Sequence, residues 1–144
     1  MKKIIVGLLT GLALLRAGAG EVAWQTDLPK AQAQAKLEKK MVLMDFTGSD
    51  WCGWCIRLHK EVFSKPAFAE YARKNLVTVE VDFPRKKEQS AAQKKANGDL
   101  AKKYKIEGYP TIVVLDGEGK QLGTLGYMEG GASAFIAELE KLKK

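Results

Sequence analysis

Hydrophobic positions fall into short groups of differing period along the 144-residue chain, and each period points to an element. Ile4 to Leu15 is an apolar block behind Lys2 and Lys3. Leu28, Ala31 and Ala35 recur at helical spacing, behind an Asp27 that can cap a helix and a Pro29 tolerated in its first turn. Met41-Val42-Leu43-Met44-Asp45-Phe46 is a continuous apolar run with one charge, as expected of a central strand covered on both faces. Ile56 to Ser64 continues a helix begun at Cys52, and Pro66 starts a second helical piece through Tyr71. Leu76-Val77-Thr78-Val79-Glu80-Val81-Asp82 alternates and is rich in β-branched residues, the pattern of a strand. Residues 85–105 are rich in Lys, Gln and Ala, and predict a polar surface helix, a turn at Asn97-Gly98, and a short helix through Leu100 and Tyr104. Two further strands, Thr111 to Leu115 and Gln121 to Tyr127, flank Asp116-Gly117-Glu118-Gly119-Lys120, whose glycines allow the positive φ of a tight hairpin. Phe135, Ile136, Leu139 and Leu142 share one face of a closing helix.

The order helix, strand, helix, strand, helix, strand, strand, helix predicts an α/β fold. Its central sheet is mixed, parallel in its first part through helical crossovers and antiparallel in its C-terminal hairpin, with helices on both faces. There are no internal repeats and no low-complexity linker.

The first block has its own meaning. Its 12 residues are bounded by Lys2 and Lys3 before and Arg16 after, and Ala17-Gly18-Ala19 follows. That is the layout of a secretory signal cleaved near Ala19, and the run is shorter than the roughly 20 residues of a membrane span. An uncleaved anchor is the second choice. Residues 1–19 are thus a signal and 20–144 one domain, periplasmic or secreted. Loss of Lys2, Lys3 and Arg16 takes the net charge from +7 to +4. Basic residues are interspersed with acidic ones, as in Lys36-Leu37-Glu38-Lys39-Lys40, and lack interleaved aromatics, so no nucleic-acid partner is expected.

Both cysteines of the chain stand two residues apart in Trp51-Cys52-Gly53-Trp54-Cys55, directly after the first strand. A C-x-x-C whose second half opens a helix puts its first sulfur at the helix N-terminus, where free N–H groups and the dipole stabilise a thiolate. Cys52 is therefore the expected attacking thiol, and Cys55, less exposed, the one that resolves a mixed disulfide. A zinc site needs about four ligands, and beyond the pair only His59 is at hand, so no metal is expected. Haem attachment needs His at position 56, which is Ile. A cross-link over so short a loop stabilises little, which argues against a purely structural role. No cofactor is expected beyond the redox-active Cys52–Cys55 pair. His59, four residues after Cys55, reads as a surface histidine.

With these residues in hand, the chain resembles the thioredoxin superfamily. The resemblance rests on Trp51-Cys52-Gly53-Trp54-Cys55, the Asp45-bearing strand before it and Gly108-Tyr109-Pro110-Thr111 about fifty residues later. It implies a thioredoxin fold, a cis bond before Pro110, and substrate binding by Trp51, Gly53, Trp54, Tyr109 and Pro110. It also implies that Asp45 acts as the buried acid that takes a proton from Cys55. The chain departs from the ordinary pattern in three places. One more residue separates Asp45 from Cys52, Thr78 stands where a lysine would neighbour the acid, and Trp54 replaces the proline between the cysteines. Glu61-Val62-Phe63-Ser64-Lys65-Pro66 is similar to a pattern in exported thioredoxin-like proteins and in the C-terminal domain of the transmembrane thiol:disulfide interchange protein. The implied activity is an exported, monomeric thiol-disulfide oxidoreductase that reduces protein disulfides, fed by a membrane electron donor or another thiol partner. The alternative is a peptide- or partner-binding module with a redox-silent disulfide.

Overall fold

The computed structural model describes residues 20–143, so the expected signal lies outside the described residues. Five strands form one sheet: β1 (Trp24–Gln25), β2 (Met41–Thr47), β3 (Leu76–Asp82), β4 (Thr111–Leu115) and β5 (Gln121–Leu125). Their order across the sheet is β1-β3-β2-β4-β5, parallel for the first three and antiparallel from β2 onward. Among the described residues five α-helices complete it: α1 (Leu28–Glu38), α2 (Gly53–Leu58), α3 (Pro66–Asn75), α4 (Ala91–Lys103) and α5 (Gly131–Leu142).

Strand alternation divides the core in two. Leu43, Ile112 and Val114 face a layer built with Leu58, Phe63, Phe68 and Phe135, which places α2, α3 and α5 on that side. Val42, Met44, Phe46, Val79 and Val113 face Ala31, Ala35 and the partly buried Leu100, which places α1 and α4 on the other. All seven residues of β2 are buried, as a strand flanked by neighbours and covered on both faces must be. Asp27 caps α1 by accepting from Lys30 N at 3.1 Å. In the β4–β5 turn Asp116 Oδ1 accepts from Glu118 N and Lys120 N, each at 2.9 Å, and only Gly119 takes a positive φ, +88°.

Three details differ from the sequence expectations. Trp24 and Gln25 form a strand against Thr78 and Val79, too short to leave any alternation in the sequence. Residues 85–90 are loop, and Ala91–Lys103 is one unbroken helix capped by Ser90, whose Oγ accepts from Gln93 N. The expected break at Asn97-Gly98 is absent because Asn97 is buried, donating to Asp82 O at 3.0 Å and accepting from Gln93 Nε2 at 2.8 Å. After α2 the helix continues as expected but widens to a π-helical turn over His59–Phe63, with Ser64 N reaching back to His59 O. The wider turn lets the consecutive Val62 and Phe63 both enter the core.

Candidate active site

β2 ends at Thr47, and the chain turns through Gly48 to Asp50 before α2 starts. Gly48 is obligatory there: a Cβ would overlap the indole of Trp51, which folds back and donates Nε1 to Phe83 O at 2.7 Å. Ser49 N and Oγ both donate to the buried Asp82 carboxylate, at 3.0 and 2.6 Å, and so pin the turn to the end of β3. Cys52 then stands as the N-cap of α2 in extended conformation, and its Sγ accepts from Cys55 N at 3.2 Å. The two cysteines form a disulfide with Cα atoms 5.2 Å apart. Among the described residues there is no free cysteine and no group of three His, Cys, Asp or Glu side chains placed to hold a metal ion.

The expected contrast in exposure is slight, 7% for Cys52 and 5% for Cys55. Cys52 Sγ lies beside the Tyr109 carbonyl oxygen, and Cys55 is enclosed as a residue of α2 itself. What separates them is the helix terminus, which offers Cys52 an amide donor and the positive end of the dipole.

Aromatic side chains flank the pair on two sides. Tyr109, joined to Pro110 by a cis peptide bond, brings its carbonyl oxygen within 3.7 Å of Cys52 Sγ. Its ring meets Trp51 edge-on at 5.9 Å and Phe83 at 5.3 Å. Across the centre, Trp54 is 55% exposed and leans on Tyr127, ring centroids 4.9 Å apart, with the Arg57 guanidinium near both.

Asp45 lies on the face of β2 that carries Leu43, the layer into which α2 buries Leu58. It is 8% exposed, and its Oδ1 has no hydrogen-bond partner. Burial first, then the charges of Glu80 and Asp82, push its pKa up to about 8. The register sets these neighbours: Asp45 is paired with Glu80, and Thr47 with Asp82. Thr78, expected beside the acid, pairs with Leu43 instead and donates to Ala23 O at 2.9 Å. Glu80 is itself pushed up by burial and by Asp82.

A carboxyl held protonated in the folded chain and ionised in the unfolded one makes the native state bind more protons between pH 3.8 and about 8. The contribution is fully favourable below the unfolded value and is lost as pH rises through the folded one. Asp45→Asn should therefore gain stability over wild type from pH 5 to pH 9, by up to about 1.4 kcal/mol per pH unit inside that window. Urea denaturation of the oxidised proteins at the two pH values checks it, and a constant difference would refute the protonated assignment.

A family model described as a thioredoxin-like domain matches residues 28–143. The chain belongs to the thioredoxin-like family. The curated protein named disulfide bond reductase DsbH of Chlamydia pneumoniae is 36% identical over 126 residues, covering 88% of this chain and 75% of that one. Thiol:disulfide interchange protein DsbD of Cronobacter sakazakii is 31% identical over 121 residues, covering 82% of this chain and 19% of the longer protein. A solved DsbH oxidoreductase superposes with a TM-score of 0.81 at 35% identity, covering 86% of this chain and 85% of that one. The oxidised C-terminal domain of Neisseria meningitidis DsbD shares the fold, with a TM-score of 0.61 at 23% identity and coverage of 84% and 100%. This thioredoxin-like chain is accordingly a thiol-disulfide oxidoreductase with the Cys52–Cys55 pair as its redox centre.

In this thioredoxin-like site, the residues singled out from sequence gather at the start of α2 and the cis-proline loop, with Asp45 on the neighbouring strand β2. Trp51, Cys52, Tyr109 and Pro110 adjoin one another, Gly53 and Trp54 lie exposed at the start of α2, and Asp45 is buried beneath the layer. His59 is exposed, as expected. Sequence reading missed Phe83, Arg85 and Tyr127. Two of these had a signal: parallel β2 and β3 must end at the same edge of the sheet, so residues just after Asp82 belong beside those just after Thr47. Tyr127 had none, since only the fold brings the end of β5 to α2.

Proposed function

We propose that the protein is an exported reductase of protein disulfides that works in its dithiol form. The observation that carries this reading is Cys52 Sγ at the N-terminus of α2, accepting from Cys55 N. In the reduced protein the Cys52 thiolate attacks one sulfur of a client disulfide, and the other client sulfur leaves as thiolate. Cys55 gives up its proton, for which the ionised form of Asp45, populated as pH nears about 8, is our assigned acceptor, and its sulfur displaces the client from Cys52. The client gains two electrons from the pair, its two thiolates take up the proton released by Cys55 and one from solvent, and the Cys52–Cys55 disulfide forms. A membrane electron donor or another thiol partner returns the chain to the dithiol. Export is inferred from residues 1–19, whose charged start, apolar block and Ala17-Gly18-Ala19 suit a signal.

Support for the reducing direction comes from the absence of charge between the cysteines. Gly53 and Trp54 add no cation, so the thiolate is stabilised mainly by the helix terminus. A modestly stabilised thiolate goes with a potential nearer thioredoxin's ~−270 mV than the ~−120 mV of a strong oxidant. Equilibration with a glutathione or dithiothreitol series should place the couple on that side, and a value above about −180 mV would make the protein an isomerase or oxidase.

A further inference from the structure

The two flanks of the centre use their charges differently. On the Trp54 side, Arg57 Nε donates to Glu61 Oε1 at 2.7 Å, and Tyr127 OH donates to Glu61 Oε2 at 2.7 Å. That cation is matched from within the chain. On the Trp51 side lies a pocket of about 410 Å³, with Trp51, Phe83 and Tyr109 as its aromatic lining and Arg85 and Lys94 at its edge. The Arg85 guanidinium stacks 3.6 Å from the Trp51 ring centroid. Among the described residues no carboxylate lies within 4.0 Å of either cation.

Two acids of the surrounding loops, Asp50 and Asp82, are committed elsewhere, and Glu88 and Glu107 form no ion pair with either cation. Asp50 accepts from the backbone N–H groups of Arg85 and Lys86 at 3.0 and 2.8 Å, and Asp82 takes Ser49 and the Lys87 ammonium, the latter at 3.1 Å. The pocket thus combines flat apolar walls with two cations lacking partners. A carboxylate on a short aliphatic stem complements both features. It also adjoins the sulfur, because Tyr109 supplies one wall and, through its carbonyl oxygen, the contact with Cys52 Sγ. At about 3.3 Å per residue of extended chain, a client side chain one or two positions from its cysteine lies roughly 3–7 Å along the chain, the reach of a pocket that shares Tyr109 with the sulfur.

We propose that the pocket between Trp51, Tyr109 and Arg85 selects clients carrying Asp or Glu within about two residues of the attacked cysteine. The proposal rests on the reductase reading for its client but not for its pocket, and the test keeps them apart. Two disulfide-linked peptides are compared that differ only in Glu or Lys two positions from the cysteine. Reduced wild type should reduce the Glu peptide about fivefold faster at low salt, an advantage that shrinks as salt rises. Arg85→Glu with Lys94→Glu should invert the ratio, and Lys94→Glu alone should lower it; equal rates, or a ratio unmoved in both variants, would overturn the proposal. In parallel, a Cys52→Ser, Cys55→Ser protein, which cannot exchange disulfides, is titrated with cysteine-free forms of the peptides and followed by tryptophan fluorescence. Tighter binding of the Glu form by a similar factor is expected, and equal affinity counts against the pocket. Should wild type reduce neither peptide, the reductase reading fails while the titration alone decides the pocket.

Discussion

Cys52→Ser should bring disulfide reduction to background, a loss of roughly 10³-fold or more, as for removal of a nucleophile from a concerted site. Cys55→Ser should instead attack once and hold the client as a mixed disulfide, because nothing remains to displace it. The asymmetry is electrostatic, since burial of the two sulfurs is nearly equal. Cys52 Sγ stands in front of the first turn of α2 and accepts from Cys55 N at 3.2 Å, whereas Cys55 lies inside the helix. A negative charge is favoured at the first position. Insulin reduction measures the turnover, and brief iodoacetamide labelling of the reduced wild type at mildly acidic pH measures the thiolate directly. Cys52 should be modified first. Labelling of Cys55 ahead of Cys52 would exchange the two roles.

The second large effect concerns the floor under α2. Phe135 of α5 is fully buried, with its ring edge-on to Phe63 at 5.6 Å and to Phe68 at 6.1 Å. Phe63 also meets Phe68 at 5.0 Å and Trp24 at 5.2 Å, so one ring cluster ties α3, α5, β1 and the widened turn after α2 together. Phe135→Ala removes a fully buried ring of this cluster and leaves a cavity, at about 3–5 kcal/mol. That is a large part of the 5–15 kcal/mol typical of a whole domain. Urea denaturation at neutral pH gives the value. Leu37→Ala, at a side chain 85% exposed, is the control and should stay within about 0.5 kcal/mol of wild type. A loss under about 1.5 kcal/mol for Phe135→Ala would mean that the neighbouring rings close the gap.

What the sequence made legible follows from the reach of each signal. The apolar run at Met41 to Phe46 could be read because burial on both faces leaves Asp45 as its one polar position. The cysteine pair could be read because its chemistry depends on a local spacing and one helix end. Failures came where a distant partner decides. Asn97 next to Gly98 looks like a helix break until Asp82 O supplies the hydrogen bond that makes burial favourable. Which residue neighbours Asp45 depends on strand register, and register brings Glu80, not Thr78, to its side. Phe83 and Arg85 carry no motif and enter the site only because β2 and β3 run parallel and end together.

The π-helical turn at His59–Phe63 has a consequence of pitch. Each residue of a regular helix advances the screw by about 100°, so one extra residue absorbed into a single turn resets the phase between what comes before it and after it. Ahead of the turn are the sulfurs; behind it are Val62 and Phe63, locked against the rings of α3 and α5. Deleting one residue here would restore an ordinary pitch and swing Cys52 out of alignment with Tyr109, although every side chain of the centre would still be present. Along this helix, the number of residues between sulfur and anchor works as an angular setting, as strict as the identity of the residues themselves.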